Sequence, residues 1–217
     1  MYGIGLIYIQ TGKYHNKFGM PKKSELKQKD DKPILEFSRR SEWTTWLNKN
    51  HAKSAGVWLR LGKKGSDLKS ITRDEALDSA LCYGWIDGQA KSEGEATWLQ
   101  KFTPRTKRSI WSKINREKVQ ALIESGEMRP AGVAEIERAK QDGRWDAAYD
   151  SPKTITVPAD LQEALDKNRK AKTFFKTLDS RNRYAVLFRI HTAKKAETRA
   201  KRIKQFVEML ERGEKIH

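Results

Sequence analysis

Tyr83-Gly84-Trp85-Ile86-Asp87-Gly88 is the stretch of sequence from which the fold can be derived. Gly84 is a helix-stop signal, and residues 85–87 have the composition of a strand that Gly88 turns. Residues 98–102 have the composition of its partner strand, and the polar insert at residues 91–95 is typical of a hairpin tip. The stretch therefore predicts a helix that leads directly into an antiparallel hairpin.

The segments before this hairpin predict two more strands and two helices. Thr72-Arg73-Asp74-Glu75 is a capping box, in which the threonine oxygen meets an orphan N–H and the glutamate reaches back, and it opens the helix before the hairpin. Residues 34–37 and 57–61 have the pattern of short strands, and Ser41 is placed to cap a helix between them. We therefore expect an α+β domain over residues 34–150, with helices that flank a small antiparallel sheet.

The chain after the hairpin has only helical patterns. Residues 115–126 and 130–143 each carry apolar side chains at helical spacing and end at a glycine. Residues 151–158 contain two prolines and have the composition of a linker. The remaining sequence predicts four helices, so we expect a C-terminal all-helical domain over residues 157–217.

The N-terminal part differs in composition from the rest of the chain. Residues 1–33 carry seven basic against three acidic residues, and residues 20–33 hold too few apolar side chains to order themselves, so we expect a disordered basic extension. Met20 is typical of a natural start, and residues 1–19 are either an upstream start-codon artefact or an extension. No basic segment precedes the apolar run at residues 4–9, and no run of about 18 apolar residues occurs, so neither a signal peptide nor a membrane-spanning helix is predicted.

The composition also bears on the compartment and the partners. Cys82 is the only cysteine, which suits a reducing compartment, and it lies in an apolar run typical of a buried residue. The net charge is +17, and residues 151–217 hold 17 basic against eight acidic residues. This excess favours attraction to RNA, DNA or an anionic membrane surface, or it is the solvated surface of basic helices. The candidate nucleic-acid contacts on the last helix are Lys194, Lys195, Arg199, Lys201, Arg202 and Lys204.

A ligand cleft is predicted at the hairpin and in the segment that follows it. Aromatic walls with a few placed polar groups are typical of such a cleft. The Arg105 guanidinium suits a carboxylate or a phosphate, and small hydroxyl residues ahead of a helix N-terminus can cradle an anion. The alternatives are ordinary helix capping by Ser112 or Asn115 and a core position for Trp111. The candidate ligand-binding residues are Tyr83, Trp85, Asp87, Phe102, Arg105, Ser109, Trp111, Ser112 and Asn115.

Asp87 is the one acidic group of this cluster, and it shares a strand face with Trp85. A partly desolvated carboxylate beside an indole suits acid–base work, but Asp87 can instead bond the turn backbone or pair with Arg105. None of the four histidines lies in the cluster, and the chain has no metal-ligand spacing, phosphate loop or dinucleotide fingerprint. We therefore predict no metal, no cofactor and no common hydrolase, kinase or dehydrogenase.

Several motifs taken together resemble one bacterial family, the bacteriocin-protection, YdeI/OmpD-associated (OmdA) proteins. The resemblance extends over roughly residues 34–213. Besides the stretch quoted first, the motifs are Glu75-Ala76-Leu77, Phe102-Thr103-Pro104-Arg105, Ser109-Ile110-Trp111-Ser112, Gly126-Glu127-Met128, Asp142-Gly143-Arg144-Trp145, Val157-Pro158, Glu197-Thr198-Arg199 and Arg202-Ile203.

The resemblance implies a link to tolerance of bacteriocins or cationic peptides and an association with a porin, and it transfers no catalytic residue. The positive net charge opposes direct capture of cationic peptides. We therefore expect a cytoplasmic, non-enzymatic binding protein with a cleft for a small anionic or aromatic ligand and no membrane insertion. The alternatives are a nucleic-acid-binding protein that uses the basic C-terminal helices and an enzyme that uses Asp87 as acid or base.

Overall fold

The computed structural model describes residues 32–217 of the chain and has the predicted α+β class. The disordered extension predicted for residues 1–33 lies outside the described residues, apart from Lys32 and Pro33. The strands are β1 (Ile34–Leu35), β2 (Val57–Gly62), β3 (Trp85–Glu93) and β4 (Thr97–Pro104). The helices are α1 (Arg40–Asn50), α2 (Arg73–Cys82), α3 (Lys113–Glu124), α4 (Pro130–Gln141), α5 (Ala159–Asp166), α6 (Arg169–Thr177), α7 (Ser180–His191) and α8 (Ala196–Glu211).

The four strands form one sheet in the order β1-β2-β4-β3. β3 and β4 form the predicted antiparallel hairpin, with Trp85 opposite Pro104, and β4 also pairs antiparallel with β2. The register shifts between Asp87 and Ala90, where β3 carries one residue more than β4. This bulge lies at Gly88, which the sequence predicted to be a turn.

The prediction of a purely antiparallel sheet is wrong at β1. Ile34 pairs with Trp58 and Leu35 pairs with Leu59 in parallel. Because α1 connects the two strands, the chain crosses over and enters β2 from the same end of the sheet. The sheet is therefore mixed, with one short parallel edge strand.

The helix that leads into the hairpin begins and ends as predicted. The Thr72 hydroxyl accepts a hydrogen bond from the Glu75 N–H at 3.2 Å, and the Glu75 carboxylate accepts one from the Thr72 N–H at 2.8 Å. This confirms the capping box. Gly84 follows the end of α2 with a φ of +72°, and a Cβ there would lie 2.9 Å from the Ala131 carbonyl oxygen. A side chain at this position would therefore meet both backbone strain and a clash.

Two other helices begin earlier than predicted. The N-cap of α1 is Arg39 rather than Ser41, and the Glu42 carboxylate accepts a hydrogen bond from the Arg39 N–H at 3.3 Å. α3 begins at Lys113 because the Ser112 hydroxyl oxygen accepts a hydrogen bond from the Asn115 N–H at 3.1 Å. In both helices the group that satisfies an orphan N–H sets the first turn.

The main core is a cluster of indole rings between α1, α2 and the sheet. The Trp43 ring stacks on Trp46 at a centroid distance of 5.3 Å, and it meets Trp85 edge-on at 6.4 Å and Phe102 at 5.8 Å. The Trp43 indole N–H donates to the Ala76 carbonyl at 3.0 Å. Buried aromatic rings of this size supply most of the burial in a small domain, and the hydrogen bonds fix their orientation.

The last four helices enclose a second hydrophobic cluster. Its buried members are Leu161, Leu165, Ala171, Phe175, Leu178, Val186, Leu187, Ile190, Ile203 and Leu210. This confirms the predicted all-helical C-terminal part. No helix within residues 32–217 combines the length and the apolar character needed to cross a bilayer.

The helical part contacts the α+β part through a few aromatic groups. The Phe188 ring meets the Tyr149 ring edge-on at 4.9 Å, and the Tyr184 hydroxyl donates to the Asp150 carbonyl at 3.2 Å. One ring nitrogen of His191 lies 3.0 Å from the Thr156 carbonyl oxygen. These contacts define the junction, which we take as the region where residues 149–156 meet α7.

Candidate functional site

The most unusual group in the predicted cluster is the guanidinium of Arg105. The residue follows β4, its N–H donates to the Gly84 carbonyl at 2.9 Å, and its side chain is 5% exposed. The guanidinium carbon lies 3.6 Å from the centroid of the Trp111 ring, and Nη1 donates to the Ile110 carbonyl at 3.3 Å. Nε and Nη2 are buried and have no hydrogen-bond partner within residues 32–217. Burial lowers the Arg105 pKa to about 10, so the positive charge is poorly compensated.

Two carboxylates lie near Arg105, but each is engaged by another arginine. Asp87 accepts a hydrogen bond from Arg73, so the predicted alternative of an Asp87–Arg105 pair is not formed. Glu135 on α4 accepts a hydrogen bond from Arg138. Burial raises the Glu135 pKa, although the neighbouring arginines oppose that rise. Both nearby carboxylates thus bond other arginines, and Nε and Nη2 of Arg105 remain without a partner among the described residues.

A second buried arginine, Arg144, holds the loop that follows Arg105. Its side chain is also 5% exposed, and Nη1 donates to the Ser109 carbonyl at 2.7 Å. Nε donates to the Asp142 carboxylate at 2.8 Å. Residues 106–110, which we name the clamped loop, are thus held from one side by Arg105 and from the other by Arg144. Ser109 itself is used within the loop, because its hydroxyl accepts a hydrogen bond from the Thr106 N–H at 2.9 Å.

The structure brings together only part of the predicted cleft. Arg105, Ser109 and Trp111 lie around the clamped loop, and Asp87 is close enough to act on Arg105 electrostatically. Ser112 caps α3 and Asn115 is 9% exposed in its first turn, so the capping alternative holds for Ser112.

The remaining predicted residues lie elsewhere. Trp85 is 1% exposed, and its indole N–H donates to the His51 carbonyl at 3.1 Å. Phe102 is fully buried in the same core. Tyr83 faces a groove of about 370 Å³ beside α1 and Arg129. These rings belong to the packed interior or to another surface, because the core needs large apolar groups as much as a cleft does.

Sequence reasoning missed three residues of this region: Glu135, Arg144 and Tyr149. Tyr149 forms a parallel bridge with Ser112, and burial raises its pKa. Glu135 and Tyr149 come from segments far from the hairpin in sequence, so no local pattern connects them to Arg105. Arg144 stands in the quoted motif Asp142-Gly143-Arg144-Trp145, and a buried arginine beside a tryptophan was the one available signal.

The described residues offer no site for a metal. Within residues 32–217 no group of three histidine, cysteine, aspartate or glutamate side chains lies close enough to bind an ion. Cys82 is buried, and this burial raises its pKa to about 11, so its thiol stays protonated near neutral pH.

Only some of the basic side chains on α8 and just before it are available to contact a partner. Lys194, Lys195, Lys201 and Lys204 are exposed. Arg199 instead donates to the Asp160 carboxylate at 2.5 Å and to the Ile190 carbonyl at 2.9 Å, and Arg202 donates to the Arg189 carbonyl. The two arginines therefore connect α8 to its neighbours, and the four lysines remain as the candidate polyanion contacts.

The fold and this site define an α+β protein with a buried arginine centre and a C-terminal helical domain. Residues 154–213, which cover that helical domain, match the family model described as Bacteriocin-protection, YdeI or OmpD-Associated. Residues 35–135 match a separate model, described as a domain of unknown function (DUF8412). The resemblance expected over residues 34–213 is thus confirmed for the helical part. Neither the curated proteins nor the solved structures include a significant match.

Proposed function

We propose that this protein is a non-enzymatic binding protein that holds a small anion against Arg105. The proposal rests on the guanidinium of Arg105, whose residue is only 5% exposed. Two of its N–H donors have no partner within the described chain. Burying an uncompensated charge is costly, and an anion that accepts both hydrogen bonds offsets that cost.

The geometry of Arg105 determines how such an anion binds. The Trp111 ring covers one face of the guanidinium, so the ligand approaches in the plane of the guanidinium, where Nε and Nη2 point. Two adjacent donors of this kind match the two oxygens of a carboxylate or a phosphate. We propose that the clamped loop, whose residues Thr106, Lys107 and Arg108 are exposed, moves to admit the ligand.

The structure favours an anionic ligand over an aromatic one. The rings of Trp85 and Phe102 are occupied by packing in the core, and the Trp111 ring already faces Arg105. It also favours binding over catalysis, because the Asp87 carboxylate accepts a hydrogen bond from Arg73. These points support a binding protein and leave the Asp87 enzyme as the weaker alternative.

A thermal-shift screen tests this proposal. Wild type, Arg105→Gln and the control Arg60→Gln, which removes an arginine bound to Glu36 and Glu93 far from the clamped loop, are melted with a panel of carboxylates, sulfate and phosphate. A ligand at about 100 times its Kd stabilises the folded state by roughly 2.7 kcal/mol, which raises Tm by several degrees. We expect at least one anion to do so in wild type and Arg60→Gln but not in Arg105→Gln. Equal shifts in all three proteins would refute the proposal.

We extend the proposal to the cell through the description of the matched family. We propose a cytoplasmic protein that contributes indirectly to bacteriocin tolerance, because a chain of net charge +17 repels cationic peptides. The porin association rests on that family description alone. Bacteria that express wild type are expected to survive a cationic bacteriocin better than bacteria that express Arg105→Gln. Equal survival at equal protein levels would separate tolerance from the anion site.

A second candidate function is nucleic-acid binding by four exposed lysines, Lys194 and Lys195 just before α8 and Lys201 and Lys204 on it. The observation that favours it is their exposure together with the excess of basic residues over residues 151–217. Such a surface binds phosphates without base choice and loses affinity steeply as salt rises.

Fluorescence anisotropy with a labelled single strand tests this candidate. Replacing Lys194, Lys195, Lys201 and Lys204 by glutamine is expected to abolish micromolar binding at low salt. The matched control replaces four exposed lysines of the α+β part, Lys53, Lys64, Lys69 and Lys107, and changes the net charge by the same amount. Equal losses in the two variants would show that only total charge matters, and the α8 surface would be abandoned.

A further inference from the structure

A small recess lies at the junction between the α+β part and the helical part, separate from Arg105. It has a volume of about 60 Å³. It is lined by Ile110, Arg144, Ala147 and Tyr149 of the α+β part and by His191, Thr192 and Lys194 of the helical part. The recess therefore combines side chains from the clamped loop and from segments that follow α4 with side chains from the end of α7 and the turn before α8.

The two charged side chains that line the recess, Arg144 and Lys194, are both cations. Arg144 is 5% exposed. Its Nη2 lies 2.7 Å from the Asp142 carboxylate as an ion pair, but the angle of this contact is poor for a hydrogen bond, and Nη2 has no other partner within the described residues. Lys194 makes no ion pair within residues 32–217. Arg144 is paired with the Asp142 carboxylate and Lys194 adds a second cation, so the recess carries a net positive charge that an anion can compensate.

The volume limits the size of the occupant. A water molecule takes about 30 Å³ of liquid volume, so the recess has room for about two waters or for one ion of a few heavy atoms. Only a group of a few heavy atoms fits inside the recess, so the rest of a larger ligand has to project out of it. A tetrahedral oxyanion has both the size and the charge, and it can accept hydrogen bonds from several directions.

We propose that this recess binds one phosphate-type oxyanion, which bridges Arg144 of the α+β part and Lys194 of the helical part. The shared chemistry is a phosphoryl or sulfuryl group, either as the free ion or as the end of a small monoester that projects past the exposed Ala147. Because the aromatic contacts at the junction are few, the bridging ion also strengthens the docking of the helical part.

Isothermal titration with sodium phosphate on the full chain tests this proposal. Lys194→Gln removes one of the two cations, and Ala147→Leu keeps every charge but fills the mouth of the recess. Each change is expected to weaken phosphate binding by about tenfold or more. The matched control is Lys195→Gln, since Lys195 is exposed one residue further along and does not line the recess. It is expected to keep wild-type affinity.

The outcomes separate this site from the one proposed at Arg105. Phosphate affinity that survives in Arg105→Gln and is lost in Lys194→Gln supports the junction recess. Affinity that is lost in Arg105→Gln and kept in Lys194→Gln overturns it and assigns the ion to Arg105. Equal losses in Lys194→Gln and Lys195→Gln also overturn it, because they indicate diffuse attraction to a basic surface. A parallel titration with glycerol phosphate identifies the source: tighter binding than phosphate supports a monoester, and weaker binding supports the free ion.

Discussion

The guanidinium carbon of Arg105 lies 3.6 Å from the centroid of the Trp111 ring, so a cation rests on an indole face in the interior of the protein. Trp111 is 1% exposed and Arg105 is 5% exposed. A desolvated cation–π contact of this kind contributes about 2 kcal/mol, which partly offsets the cost of burying the charge. The contact explains in part how the protein keeps a charged side chain in its interior.

The first prediction concerns replacements of Arg105. Arg105→Lys is expected to destabilise the protein more than Arg105→Met does. Both variants lose the planar stacking on Trp111 and the bond to the Ile110 carbonyl, but lysine still carries a desolvated charge. Urea denaturation in an anion-poor buffer measures the order. A lysine variant more stable than the methionine variant would show that the charge is compensated by a group other than a bound anion.

The second prediction separates core from ligand roles at Trp85. Trp85→Phe is expected to lower the free energy of unfolding by about 1–3 kcal/mol, because the His51 carbonyl loses its hydrogen-bond donor. Trp98→Phe is the comparison, since the Trp98 side chain is only partly buried and its indole makes no hydrogen bond within residues 32–217. We expect a smaller loss there. Similar costs at the two positions in denaturant titrations would contradict a special role for the Trp85 hydrogen bond.

The third prediction concerns the contact between α4 and α2. A Cβ at Gly132 would lie 2.4 Å from the Cys82 carbonyl oxygen and 2.8 Å from that of Leu81, so neither neighbour can yield easily. Gly132→Ala is expected to cost about 1–3 kcal/mol or more. At Gly88 the nearest atom to such a Cβ is 3.9 Å away, and Gly88→Ala should be nearly neutral. Thermal melting of both variants checks the contrast, and a stable Gly132→Ala protein would mean that the two helices are further apart.

The fourth prediction uses opposite pKa shifts near the two arginines. Burial raises the Glu135 pKa above its ordinary 4.5, so the stability this group contributes is present below pH 4.5 and is lost as pH rises through the folded pKa. Glu135→Gln should therefore gain stability relative to wild type as pH rises above about 4.5. The hydrogen bond from Arg144 lowers the Asp142 pKa below 3.8, so that contribution is lost as pH falls.

Asp142→Asn should accordingly gain stability relative to wild type only as pH falls below about 3.8. Urea denaturation from about pH 3 to pH 7 measures both differences. Slopes of the same sign for the two variants would contradict the assignment of a partly buried Glu135 and an arginine-bound Asp142.

The fifth prediction concerns Asp87. Its bond to Arg73 is a partly exposed ion pair, with side-chain exposures of 16% and 47%. Asp87→Asn is expected to change the free energy of unfolding by about 1 kcal/mol or less, because solvent screens such pairs. A loss of several kcal/mol in chemical denaturation would mean that Asp87 supports the buried Arg105 directly.

Local sequence signals predicted the elements whose ends depend on neighbouring residues. The capping box at Thr72, the stop at Gly84 and the hairpin that follows all depend on contacts within a few residues, and the structure confirms each one. Where two side chains could cap the same helix, the sequence alone did not distinguish between them. Ser112 rather than Asn115 begins α3, because the backbone reaches Ser112 in an extended conformation beside Tyr149.

The candidate site was predicted only in part, because composition does not distinguish a cleft from a core. Arg105 and Trp111 were both singled out, and they do meet. Trp85 and Phe102 carry the same aromatic signal but pack against Trp43 in the interior. Arg144 lies 35 residues after Ser109, whose carbonyl it contacts, and no local pattern connects the two.

The helices, the hairpin and the uneven distribution of charge could be read from the sequence, since they follow from propensity, periodicity and counts. The parallel pairing of β1, the burial of two arginines around one loop and the recess lined by cations from two parts of the chain became visible only in the folded structure. Contacts between residues far apart in the chain depend on how packed elements meet in space. The free energy of that packing is shared among many side chains, so no single segment of the sequence predicts it.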